Sequence, residues 1–297
     1  MKKNIALLLP ALLFCAAVPF WAQAQSDPIA DKYSAPLAKI FDFQARLRSI
    51  HPALDKVYPV AIVENKAFHV FEPDPERKAY RLVRTSPDTY DIPTGIRAAM
   101  PLGFWDNRVA CVVTGEVFSQ ADGYVFIFHE FVHCAQWEGP ELELKGRLPL
   151  YQEAMKNKDY MWELQYPFPY AQAAFVKVYG DLLAAWSRDD VPAAASLRAE
   201  LKKSLSQPEW EYLTWQEWKE GLARFIENRV RATLGLAENK GGASPPYARV
   251  TFYRGGDLLI RFIERRTPGA ASDMAELHRA ISAGPPSPSS EPEIARD

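Results

Sequence analysis

Cysteine is scarce in this chain, with three in 297 residues, and histidine nearly so, with five. Three cysteines are too few for a disulfide-dense scaffold, and a chain of this length can bury enough core not to need one. An excess of positive charge is also missing: 35 Lys and Arg stand against 37 Asp and Glu, for a formal charge of -2. With no basic field to offer a polyanion, nucleic acid is excluded as the main partner. Beyond the N-terminus no apolar run approaches the roughly 20 residues that a membrane span needs. What is present is globular usage, 48% hydrophobic and 24% charged, outside the low-hydrophobicity composition of disordered chains. No internal repeat is visible. Any chemistry must therefore rest on a few residues.

The N-terminus sets the expected compartment. Lys2 and Lys3, the apolar run from Ile5 to Val18 and the small-residue stop Ala22-Gln23-Ala24 have the order of a secretory signal peptide. Residues 1–24 are thus expected to be removed, giving a mature chain from Gln25 that is exported, periplasmic or secreted, with no stable membrane insertion. Cys15 leaves with the signal. Cys111 and Cys134 remain in a compartment where disulfides persist, either bridged or as two buried thiols. At the other end, residues 284–297, with Pro285, Pro286, Pro288 and Pro292 among serines, are expected to be a disordered tail.

Residues 25–283 read as a single α+β domain, a small strand-rich N-terminal part followed by a predominantly helical part. Helical spacing predicts a helix over 34–50, starting at Ser34. Branched and aromatic runs predict antiparallel strands over 57–63, 67–72 and 78–84 and a further strand over 108–118. From Tyr124 to Trp137 the period turns helical on a mostly apolar segment. Residues 138–209 look like a helical excursion, with helices near 149–163, 169–187 and 191–206. A long helix over 210–236 follows, then a Gly/Pro loop over 240–246 and helices over 255–265 and 272–282.

The strongest signal lies inside the apolar helix: His129-Glu130-Phe131-Val132-His133. On a helix, positions i and i+4 share a face, so both imidazoles can reach one tetrahedral metal. The next residue, Glu130, is rotated by about 100° and can approach a water activated at the metal rather than the metal itself. Cys134 points away by the same rotation. A catalytic zinc site needs a third protein ligand. His51, His69 and His278 sit in no comparable motif, which makes a carboxylate the better candidate. Glu220 lies on the second apolar-faced helix, and small Gly221 and Ala223 would let that helix approach the active-site helix closely. Glu227, on the same face, is the alternative ligand or a partner for one of the histidines.

His129 to His133 together with Glu220-Gly221-Leu222-Ala223 resembles the gluzincin metallopeptidases, especially the H-E-x-x-H and N-E-G-F-A signature of the aminopeptidase-N type. The resemblance implies a zincin-like fold, one zinc ion per chain held by His129, His133 and Glu220, Glu130 as general base, and a peptide or protein substrate. Lys219 stands where that signature has asparagine, and 87 positions separate His133 from Glu220, a gap longer than in those enzymes that makes 138–209 an insertion. Tyr253-Arg254-Gly255-Gly256 looks like the Tyr-x-x-Gly helix start that presents a tyrosine to the developing oxyanion in the same enzymes, with Tyr247 as the alternative. Gly115 to Phe118 reads either as the edge strand that aligns an extended peptide or as a core strand. The aromatic set from Tyr160 to Trp218 either walls a cleft or packs between helices. No cluster for a free amino terminus is visible, so aminopeptidase activity is not implied. The competing readings are a catalytically inactive zincin-like scaffold that binds a peptide or envelope component, and a metal-free helical interaction protein.

Overall fold

Asp27 caps the first helix of the described residues. A computed structural model describes residues 27–283, so the expected signal peptide over 1–24, the Gln25 start, Cys15 and the tail over 284–297 lie outside the described residues. Helix α1 spans Pro28–Leu47. The Asp27 side chain accepts from the Ile29 and Ala30 N–H groups, and Pro28 sits in the first turn, where no donor is needed. The Ser34 start was therefore late: the cap lies upstream, and Pro36 is carried inside the helix.

Three of the expected strands form an antiparallel meander: β1 Val60–Glu64, β2 Ala67–Asp74 and β3 Ala79–Pro87. Asn65 and Lys66, both at positive φ, make the tight turn between β1 and β2. Two more strands, β4 Arg97–Leu102 and β5 Arg108–Thr114, complete a sheet of order β3-β2-β1-β5-β4, with β5 parallel to β1 and antiparallel to β4. β4 had no signature to find. Its Arg-Ala-Ala-Met-Pro-Leu sequence lacks β-branched and aromatic residues, and Pro101 is tolerated because the strand is an edge among the described residues. β5 stops at Thr114, and Gly115–Ser119 coils into a 3-10 turn, so Gly115 to Phe118 form neither an edge nor a core strand. Period-two alternation buries the sheet on both sides. Val60, Ile62, Cys111 and Val113 join the main core, while Ala61, Val63, Ala110 and Val112 pack under Leu102 and Trp105.

The helical part begins with α2, Ala121–Glu138, packed against β4 and β5. Helices α3 Glu141–Gly146, α4 Pro149–Lys156, α5 Trp162–Gln165, α6 Ala173–Arg188 and α7 Val191–Ser204 make up the excursion, with the expected helix over 149–163 broken into α4 and α5. α8, Gln207–Thr233, opens with a reciprocal Ser206–Glu209 capping box and is buried along most of its length. α9, Val250–Glu264, and α10, Met274–Ala283, pack on it. At the α8–α9 crossing a Cβ on Gly221 would lie 2.4 Å from the Gly256 Cα, and one on Gly256 would lie 2.2 Å from the Glu217 carbonyl oxygen. Gly221 thus serves contact with α9, not with the histidine-bearing helix as the spacing suggested. Among the described residues no helix is long and apolar enough to cross a membrane.

Candidate metal centre

α2 places His129 and His133 one turn apart, their ring centres 5.0 Å from each other. α8 lies alongside and brings Glu220 to both: Glu220 Oε2 is 3.2 Å from His133 Nε2 and 3.8 Å from His129 Nε2. All three residues are buried, and one ligand atom from each lies within 4.8 Å of the others. A tetrahedral ion with bonds of about 2.1 Å sets its ligand atoms roughly 3.4 Å apart, which these spacings bracket.

The outward ring nitrogens decide what the inner ones can do. His129 Nδ1 is 2.9 Å from Glu227 Oε2, and a carboxylate only accepts, so Nδ1 carries the proton of the neutral ring. His133 Nδ1 is 2.7 Å from Gln136 Oε1, and the orientation of that amide is fixed because Gln136 Nε2 donates to the Lys219 carbonyl at 3.1 Å. In its neutral form, the form that binds a metal, each imidazole therefore turns an Nε2 lone pair toward the Glu220 carboxylate. Two lone pairs facing a carboxylate in a buried site call for a positive charge between them. His129, His133 and Glu220 can hold a metal ion.

With no ion between them, a proton on His129 meets that demand for positive charge. Burial opposes a charged His129, but the Glu220 and Glu227 hydrogen bonds and the nearby Glu130 charge push its pKa up to about 10. Burial likewise opposes ionised Glu220, yet His133, His129 and Arg249 hold its carboxyl well below the usual range. Glu227 keeps its charge behind the histidine. Burial is outweighed there by His129, Arg224 and Asn239, which hold its carboxyl at about 2. Its four partners are His129, Arg224 Nε at 3.0 Å, Arg231 Nε at 3.0 Å and Asn239 Nδ2 at 2.8 Å. Of the two carboxylates, Glu220 offers the ligand atom and Glu227 orients His129.

Glu130, adjacent to His129 in α2, is buried, and its side chain makes no hydrogen bond or ion pair among the described residues. Tyr253, in the first turn of α9 rather than ahead of it, stacks on His129 with ring centres 6.2 Å apart and planes at 13°. Burial and the neighbouring Glu220 carboxylate push the phenol pKa up, so it remains a donor. Tyr247 packs instead against Phe175 and Tyr179. Arg249 was not foreseen. Its Nη1 donates to Glu220 Oε1 at 3.0 Å, and its guanidinium lies 5.2 Å from the Tyr253 ring centre. The helical phase of α9, carried back four residues from Tyr253, was the available signal.

The other candidates lie elsewhere. His51 accepts from the Ala53 N–H and faces the Ala271 carbonyl at 2.8 Å, His69 pairs with Thr85 Oγ1, and His278 sits against Trp215 and Trp218. Cys111 and Cys134 are both free and buried. Lys219 joins Lys145, Glu141 and Glu163 in an ion-paired cluster. Of the aromatic set, Trp162, Trp210, Tyr212, Trp215 and Trp218 are core, whereas Tyr160 is exposed. No protein-family model, curated protein or solved structure matches the chain. Its chemistry is read from the site alone.

Proposed function

We propose that this chain is an exported zincin-like peptidase that hydrolyses peptide bonds with one zinc ion, held by His129, His133 and Glu220. The observation that carries this reading is the convergence of two imidazole lone pairs and one carboxylate oxygen beside a buried, unpartnered Glu130. Two nitrogens and one carboxylate are a catalytic zinc set with a coordination position left open, whereas magnesium and calcium favour all-oxygen shells. Zinc, when bound, supplies Lewis-acid polarisation of the substrate carbonyl and lowers the pKa of water.

The remaining steps belong to the chain. Glu130 takes the proton of the attacking water and delivers it to the departing amine. Tyr253 donates its phenolic hydrogen to the oxygen on which negative charge develops. Glu227 and Gln136 fix the tautomers and orientations of the two histidines. β4, packed on α2 and at the edge of the sheet among the described residues, is the strand on which an extended peptide would pair, the part first considered for Gly115 to Phe118.

Zinc content and hydrolysis of a mixed peptide pool test the proposal together. Protein purified without chelator is expected to carry one zinc per chain. His129→Ala loses zinc and activity. Glu130→Gln keeps zinc and loses roughly 100-fold or more in turnover. Absence of stoichiometric zinc, or full hydrolysis by Glu130→Gln, contradicts it.

A further inference from the structure

Arg249 is the most open charged group at the centre. Its side chain is 28% exposed, against 6%, 8% and 11% for His129, His133 and Glu220. Only one arm of the guanidinium is engaged: Nη1 donates to Glu220 Oε1 at 3.0 Å and to Gln216 Oε1 at 3.4 Å. Nε and Nη2 have no partner among the described residues, and neither is among the buried unpartnered atoms, so both face solvent. Stacking over Tyr253 holds the guanidinium in place.

The charges around it do not balance once a dication is present. Glu227 and Asp122 are matched by Arg224 and Arg231, and Lys219 and Lys145 are matched by Glu141 and Glu163. The only ion-pair partner of Arg249 among the described residues is Glu220. A metal ion would claim that carboxylate, leaving a dication and a guanidinium opposite Glu220 and Glu130, with one positive charge in excess. A planar guanidinium with two free nitrogens, Nε and Nη2, beside a positive site is a receptor for a carboxylate.

We propose that Arg249 binds a carboxylate of the substrate next to the scissile bond, so that the preferred peptides present either a free C-terminal carboxylate or an Asp or Glu side chain at that position. This inference rests on the zinc-peptidase reading for its substrate class and on Arg249 for its selectivity.

Binding separates the two. Zinc-loaded Glu130→Gln protein is titrated calorimetrically with N-acetylated Ala-Phe-Ala as acid and as C-terminal amide, and with the amides of N-acetylated Ala-Phe-Asp and Ala-Phe-Asn. The acid, or the Asp peptide, is expected to bind roughly 10- to 100-fold more tightly than its neutral counterpart, and whichever pair shows the difference identifies the source of the carboxylate. Adding Arg249→Gln should bring that ratio to within about twofold of unity at unchanged zinc content, and Arg249→Lys should leave an intermediate ratio. If Arg249→Gln releases zinc, Arg249→Lys at saturating zinc carries the same comparison. Equal binding of charged and neutral peptides, or a ratio that survives both substitutions, overturns the assignment. A residue that merely steadied Glu220 would weaken all four peptides alike. Discrimination by the Glu130→Gln protein when the zinc-loaded parent chain hydrolyses none of the four peptides overturns the peptidase reading and leaves the receptor standing; hydrolysis by the parent without discrimination by the variant does the reverse.

Discussion

His129 lies between two carboxylates that do different work: Glu220 faces its Nε2, and Glu227 holds its Nδ1 from behind. Glu227 touches no ion in this arrangement, yet it sets the tautomer, and Arg224, Arg231 and Asn239 fix its own position. Glu227→Gln keeps the shape of the side chain and removes its charge. Zinc affinity, measured by competition with a chromophoric chelator, is expected to fall roughly 10- to 100-fold, with activity restored at saturating zinc. Unchanged affinity would mean that the ligand histidine needs no charged support. At this scale the sequence was legible where the geometry is local: His129 and His133 share a helix face by spacing alone. Gln136, three residues beyond His133, was equally local but carries no motif. Arg249 and Asn239 reach the site from other parts of the chain, and no spacing rule joins them to His129.

At the scale of elements, the site depends on how closely α8 and α9 approach. Glu220 on α8 and Tyr253 on α9, with Arg249 at the α9 N-cap, meet because Gly221 and Gly256 let the two backbones nearly touch. A methyl group at Gly221 would fall 2.4 Å from the Gly256 Cα, and backbone cannot swing aside as a flexible side chain can. Gly221→Ala is therefore expected to cost about 1–3 kcal/mol in stability, despite the better intrinsic helix propensity of alanine, and to weaken zinc binding as well, because Glu220 is the next residue. Denaturant midpoints and zinc titration on one preparation check both. A variant as stable as the parent would show that the crossing has slack. The sequence marked Gly221 as a close-approach position but assigned the wrong partner, since a glycine records that something comes near without recording what. The meander of β1 to β3 was readable from its branched and aromatic runs and the polar breaks between them. β4 was not, because its position comes from pairing with β5 rather than from its own composition.

At the scale of the whole molecule, two neutral histidines sit where α10 docks on the helices before it. His51, just beyond α1, faces the Ala271 carbonyl, while His278 on α10 packs against Trp215 and Trp218 of α8. Burial lowers the pKa of His51 and brings that of His278 down to about 4. As pH falls, the unfolded chain takes up these protons before the folded one does. Their contribution to stability is thus complete above the ordinary histidine value of 6.5 and declines from there toward about 4. Replacing His278 by Gln should flatten that decline, as read from urea midpoints at several pH values in chelator, which removes any contribution from metal. A curve identical to that of the parent would place the acid sensitivity elsewhere.

The α+β organisation, a strand-rich first third and a helical remainder, could be read along the chain, because each part keeps one hydrophobic period over many residues. Which helices meet across the excursion over 138–209 could not, since apolar faces pack equally well on several partners. The central claim is that α2 and α8 together build one metal centre. The most direct test is anomalous diffraction at the zinc absorption edge, from crystals of protein purified and grown without added metal or chelator. The account predicts a single peak about 2.0–2.2 Å from His129 Nε2, His133 Nε2 and Glu220 Oε2, with Glu227 outside the coordination shell. No peak between α2 and α8, or a peak bound by Glu227 in place of Glu220, would contradict it.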